Sequence, residues 1–191
     1  RMAVDKAKAA NMPKDNIEKA IKRGTGELQG DEILELTYEA IGPANTQFVV
    51  KSLTDNKNRS AAEIRHIFSK HGGSLGAVLW NFEQKGVIRV SKEKLSEANV
   101  KFDDLELELI DAGAEDIQKE EEGITIITSL TDLVDVNKFF ETKKIEVESA
   151  ELEYIAKDEI ELSPDDQEKF DKLSEALEDN EDVADFYTNI V

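Results

Sequence analysis

The sequence predicts an α+β protein in three parts. These are an N-terminal helical segment too small to bury its own core, which must pack on something else or belong to a larger helical unit, a middle α+β domain, and a ferredoxin-like βαββαβ domain inserted into the middle one. Three observations predict it. Short β-rich runs bounded by Gly and Pro turns alternate with segments of helical apolar spacing. From Gly86 to about residue 156 the order of those segments is βαββαβ, the split βαβ arrangement. The strands and helix before that block make a unit that only the helix and strand after it can complete. The expected boundaries are 1–28, 29–85 plus 157–191, and 86–156.

Taken in order, "MAVDKAKAA" (2–10) is rich in Ala and Lys and reads as helix. Pro13 restarts a helix, since Pro suits the first helical position. Ile17, Ala20 and Ile21 then give it a narrow apolar face, and Gly24 is placed to end it as a left-handed cap. "LTYEAIGP" (36–43) and "TQFVVKSLT" (46–54) are strands around a Gly-Pro turn. Residues 57–71 form a helix whose buried stripe is Ala61, Ile64, Ile67 and Phe68, with Ser60 and Glu63 at capping-box spacing. "AVLWNFE" (77–83) is a third strand, with Val78, Trp80 and Phe82 alternating into the core.

In the inserted domain, "GVIRVS" is a strand and 93–112 a largely helical stretch. "EDIQKEE" and "GITIITSL" are strands around a Glu-Gly turn. Residues 131–144 form a helix with Leu133, Val136, Phe139 and Phe140 on one face, and 147–156 is a strand. A short strand, a helix from Pro164 to about Glu178 and a strand at 183–190 close the middle domain.

Charge is divided unevenly along the 191 residues. Residues 1–92 hold 15 Lys and Arg against 11 Asp and Glu, leaving 9 against 32 for the rest. The formal net charge of -19 therefore belongs to the C-terminal half, and the N-terminal half can meet a polyanion. There is no Cys, which excludes a disulfide framework, a thiolate nucleophile and a Cys-based zinc site. No run approaches membrane-spanning length, and the first residues do not resemble a signal peptide.

The most informative stretch is "TDNKNRS" (54–60) at the start of the third expected helix. Lys57 and Arg59 put cations where free N–H groups already attract anions, an unfavourable choice unless something negative binds. Asn58 lies between them, Arg59, His66 and Lys70 follow at helical spacing along one side, and Arg65 is beside them. Lys14, Lys22 and Arg23 make a second basic site on the preceding helix. A nucleic-acid backbone satisfies both, while a solvated basic face with Glu63 as local partner also accounts for the first, and Lys and Arg complementing the helix dipole for the second. His66 and His71 lack further ligands, so no metal or other cofactor is expected. "GGSLG" (72–76) reads as a turn, and no nucleophile, base and orienting acid stand at catalytic spacing. An enzyme acting on a small-molecule substrate is not expected.

The long stretches "AVDKAKAANMPKDNIEKAIKRGTGEL", "LTDNKNRSAAEIRHIFSKHGGSLG" and "FEQKGVIRV", with "AGAEDI" (112–117) and "DVADFYTNI", resemble the YebC/PmpR family over the whole chain. The resemblance implies a three-domain fold, with an N-terminal helical domain of which 1–28 is a truncated remnant, a middle α+β domain and a ferredoxin-like domain, and a DNA-binding transcriptional regulator of the cytoplasm. It also implies an alternative, because a mitochondrial relative is a translational activator of cytochrome c oxidase. Bacterial relatives are implicated in easing ribosomes through proline-rich stretches, so the partner would be ribosomal RNA and the ribosome. Neither role is an enzyme activity, and neither involves a membrane. Family members usually carry a Lys/Arg-rich "GHSKW"-type segment upstream of the position of Arg1, and a longer loop than "GGSLGAVLWNFE" before the Trp/Phe strand.

Overall fold

A computed structural model describes residues 4, 7, 12, 14–25, 33–98 and 102–191. The helix expected over 2–10 lies mostly outside the described residues, although Val4 and Ala7 are helical. In chain order the elements are α1 (Lys14–Gly24), β1 (Leu34–Ile41), β2 (Gln47–Thr54), α2 (Lys57–Lys70), β3 (Ser74–Leu75), β4 (Phe82–Ser91), α3 (Lys92–Glu97), α4 (Phe102–Ala112), β5 (Ala114–Lys119), β6 (Gly123–Thr128), α5 (Leu133–Lys143), β7 (Ser149–Ala156), α6 (Pro164–Glu178) and β8 (Val183–Thr188). The chain divides into two compact units, one of residues 1–78 and 161–186, the other of residues 79–160 and 187–191.

In the first unit the sheet order is β3-β1-β2-β8, and β1 and β2 are antiparallel with Tyr38 opposite Val50. Phe48 and Val50 of β2 and Ala40 of β1 meet Ile64 and Phe68 of α2 and Leu173 and Leu177 of α6 in a fully buried cluster. Phe48 is its centre, edge-on to Phe68 at 5.3 Å and stacked on Phe170 at 5.5 Å between centroids. Such pairs add to the gain from area burial alone. The helix α6 starts at Pro164 as expected, with Ser163 as its N-cap accepting from the Asp166 N–H.

The end of α2 explains its paired glycines. Gly72 has φ +77, and Gly73 N–H donates to the Phe68 carbonyl at 2.7 Å, which closes the helix in the left-handed C-terminal motif. A Cβ on Gly73 would stand 2.5 Å from the Ile41 carbonyl oxygen, so the turn needs both residues bare. "GGSLG" is a helix stop against β1, as the sequence suggests.

In the second unit the sheet order is β5-β6-β4-β7, antiparallel at every pairing, with the long β4 between β6 and β7. Ile88 and Val90 of β4 and Ile124 and Ile126 of β6 face Leu105 and Leu109 of α4 and Val136 and Phe140 of α5. Leu133 and Phe139 pack at the border of that cluster, so the expected face of α5 is the one used. On the opposite face of β4, Lys85 pairs with Glu115 at 2.8 Å and Arg89 makes a two-point pair with Glu153. The βαββαβ order and the α+β class are as expected.

Four local expectations are corrected. The strand expected at 77–83 is a single 3-10 turn over Leu79–Asn81, and Phe82 begins β4, which absorbs "GVIRVS". Alternation holds only in an extended chain, so Val78 and Phe82 are buried while Trp80 turns outward and is 65% exposed. The N-cap of α2 is Asn56, whose side chain accepts from Arg59 N–H, and not Ser60. In α1 Ile17 is buried, but Ala20 and Ile21 are exposed, and the helix runs through Gly24 without a left-handed residue there.

Candidate nucleic-acid interface

The helix α2 is amphipathic by sequence and is pinned by two polar clusters. At its buried side Ser60 Oγ lies 2.9 Å from Ser52 Oγ and accepts from Tyr38 Oη at 3.2 Å, tying the helix to β1 and β2. The two serine hydroxyls are buried and bonded to each other, which removes the desolvation penalty that lone polar groups would carry. At its start Thr54 Oγ1 donates to Asp182 Oδ2 at 3.0 Å and accepts from Asn56 N–H at 3.0 Å. Asn56 then caps the first turn.

Arg59 belongs to this second cluster. Its Nη2 is 2.8 Å from Asp182 Oδ1 and 3.0 Å from Asp55 Oδ1, and its Nε donates to Asp182 Oδ2 at 3.3 Å. Hydrogen bonding to Asp182 is the main cause that raises the guanidinium pKa, with Asp55 adding to it. The expectation that this cation awaits an outside anion is therefore corrected: the chain supplies two carboxylates of its own. Asp182 escapes sequence reasoning because it stands 123 residues from Arg59.

The remaining basic residues of α2 are arranged differently. Asn58, Arg65, His66 and Lys70 are exposed along the outer side of the helix, with Ala62 and Ser69 among them, and Lys57 is exposed in the first turn. The sole acid of α2, Glu63, is half-buried and accepts from Asn180 Nδ2 at 3.0 Å. Glu63 is thus held by α6's C-terminal loop and is not a local partner for the basic face. Among the described residues no carboxylate pairs with Lys57, Arg65 or Lys70. On α1, Lys14 and Lys22 are exposed, and Lys14 pairs loosely with Glu18 at 3.7 Å. The Arg23 side chain lies outside the described residues.

This surface can hold phosphates. Cations on a helix fixed by buried hydroxyls need little reorganisation to meet a polyanion, and α2 itself carries no acid on that side. It offers few groups for two-point reading of base edges. Among the described residues no group of three or more His, Cys, Asp or Glu could hold a metal ion, and no helix is long and apolar enough to cross a membrane.

Comparison with known proteins places the chain among relatives. Residues 33–190 match the family described as "TACO1/YebC second and third domain", and residues 1–27 match "TACO1/YebC protein N-terminal domain". A protein of Pseudothermotoga lettingae named "Probable transcriptional regulatory protein" is 48% identical over 192 residues, covering 99% of this chain and 74% of its own. A similarly named protein of Thermoanaerobacter pseudethanolicus is 46% identical, with 100% and 77% covered. The crystal structure of a conserved hypothetical protein from Aquifex aeolicus superposes with TM-score 0.87 at 37% identity, covering 99% of this chain and 77% of that one.

Proposed function

The chain belongs to the TACO1/YebC family of regulatory proteins, and from that premise we propose that it regulates gene expression by binding nucleic acid through the outer side of α2. The single observation that carries this reading is the row Asn58, Arg65, His66 and Lys70, exposed and without an acid among them, in a protein of net charge -19. Lys57 extends the row at the helix start, and Lys14, Lys22 and Arg23 of α1 add a second contact. Arg59 holds the helix in place and leaves the phosphates to its neighbours. The protein acts in the cytoplasm as a binding protein and not as an enzyme.

Promoter DNA is the target that the names of the relatives favour. A second reading, ribosomal RNA on the ribosome in the manner of a translation factor, is favoured by the same row, because it suits a backbone more than base edges. A DNA regulator should bind its site at least about a thousandfold better than random duplex at physiological salt. A translation factor should show a small duplex ratio and should sediment with ribosomes until salt releases it. Both assays run at matched salt on the same protein decide between them, and failure in both removes the nucleic-acid reading.

A further inference from the structure

We propose that the outer face of α4 is a docking site for a basic amphipathic helix of a protein partner. This face lies in the second unit and does not depend on the nucleic-acid function proposed above. The first observation is exposure. The run Leu105-Glu106-Leu107-Glu108-Leu109 alternates with period two, yet it lies in a helix. Helical spacing sends Leu105 and Leu109 inward together, and both are fully buried, while Leu107 turns to the opposite side. Leu107 is 74% exposed, and Ile110, at i+3 from it, is 54% exposed. A lone exposed Leu is ordinary on a protein surface. Two large aliphatic side chains adjacent on one helix face make a patch of the kind that a partner's apolar stripe covers.

The second observation is charge. The helix α4 carries five acids and no base in its 11 residues. Glu106 stands one turn before Ile110 and Asp111 one turn after Leu107, so each apolar side chain has a carboxylate at i,i+4 spacing. Both acids are exposed, and among the described residues neither has a cation partner. The whole second unit holds 22 Asp and Glu against 10 Lys and Arg. The complement of this face is an apolar stripe flanked by Lys and Arg, which is the pattern of a basic amphipathic helix. The same acids repel a phosphate backbone and an anionic lipid surface. A second copy offering the same face would set these carboxylates against each other. The basic row of α2 from a second copy has the charge but only Ala62 for an apolar contact.

The third observation is rigidity. Leu105 and Leu109 are set into the core cluster with Val136 and Phe140 of α5, and Glu108 pairs with Lys143 across the two helices. Gly113 N–H donates to the Ile110 carbonyl at 3.1 Å. With φ at +112, Gly113 turns the chain directly against Asp132, where a Cβ would stand 2.9 Å from the Asp132 Cβ. The end of α4 is therefore seated against the start of α5. The face is fixed before a partner arrives, which lowers the ordering cost of docking.

The test titrates the full chain into a fluorescein-labelled helical peptide of Leu, Lys and Ala, with Leu at i, i+3, i+4 and i+7 and Lys on both flanks. A scrambled peptide of the same composition controls for charge alone. Anisotropy reads binding, and amide NMR shifts locate it. The patterned peptide should bind with shifts centred on residues 106–111, and the scrambled peptide should bind at least about tenfold more weakly. Leu107→Ser with Ile110→Ser should weaken the patterned peptide about tenfold. Glu106→Gln with Asp111→Asn should weaken it too and flatten its salt dependence. All four positions are exposed, so both variants should stay folded, which circular dichroism checks. Changing Lys57, Arg65 and Lys70 to Ala should not weaken the peptide. Absence of binding, equal binding of the scrambled peptide, or an affinity unaltered by Leu107→Ser with Ile110→Ser overturns the site and leaves the basic row of α2 standing. A parent dimer that Leu107→Ser with Ile110→Ser converts to monomer in the ultracentrifuge assigns the face to a second copy and overturns the basic partner.

Discussion

Arg59 and Asp182 lie 123 residues apart in the chain and meet in a two-point ion pair, with Nη2 2.8 Å from Oδ1 and Nε 3.3 Å from Oδ2. The carboxylate is buried and also accepts from Thr54, so the pair joins the start of α2 to the segment that leads into β8. Replacing Arg59 by Ala leaves a buried carboxylate without its cation, which is costlier than removing both groups. Arg59→Ala and Asp182→Asn should each lower the melting temperature by several degrees. The double variant should lose less than the sum, because the two changes delete one interaction. Calorimetry of the four proteins measures this. Additive losses would show that the pair contributes nothing as a pair.

Phe48 should be the most sensitive core position of the first unit. It is fully buried and contacts the rings of Phe68, Phe170 and Phe186. Phe48→Ala should cost about 3–5 kcal/mol, since three rings cannot close on the vacated space. Urea unfolding checks this. A loss below about 1 kcal/mol would mean that the aromatic cluster is not the centre of the core.

Acid should weaken the start of α6 in a predictable window. Hydrogen bonds from Lys169 first and Ser163 second hold the Asp166 carboxyl below its ordinary value of 3.8. A carboxyl depressed in the folded state stabilises at pH values above its unfolded pKa, and the effect fades as pH falls through the folded value. Asp166→Asn should therefore lower stability at pH 7, and the difference from the parent should begin to shrink as pH falls below 3.8 and vanish once pH is under the lower folded value. Ser163→Ala, which removes the N-cap, should cost about 1 kcal/mol at neutral pH. A gap between Asp166→Asn and the parent that stays constant from pH 7 into that acid range would contradict the linkage.

Much of this architecture was legible because it is local. The stripe Ile64, Ile67 and Phe68 fixes the buried side of α2, and Val136 with Phe140 fixes that of α5. The βαββαβ order follows from strand and helix periods that each span a few residues. The readings that failed all depended on the third dimension. Ser60 has a capping spacing to Glu63, yet its hydroxyl is spent on Ser52 and Tyr38, strand residues 8 and 22 positions away. Trp80 alternates with Val78 and Phe82 in sequence, but one 3-10 turn breaks the period and carries it outward. At the candidate site, residue types marked a basic helix, but only folding separates Arg59, bound to Asp182, from Lys57, Arg65 and Lys70, which face solvent.

The central claim is that these three solvent-facing cations, and not Arg59, meet the nucleic-acid backbone. The most direct measurement is the salt dependence of binding to random duplex DNA for the parent and for a protein with Lys57, Arg65 and Lys70 all changed to Ala. Each lost phosphate contact removes about 0.9 from the log-log slope, so the slope should fall by roughly two to three units while the melting temperature stays within a degree or so of the parent. An unchanged slope in a variant that remains folded would contradict the account and remove α2 as the binding surface.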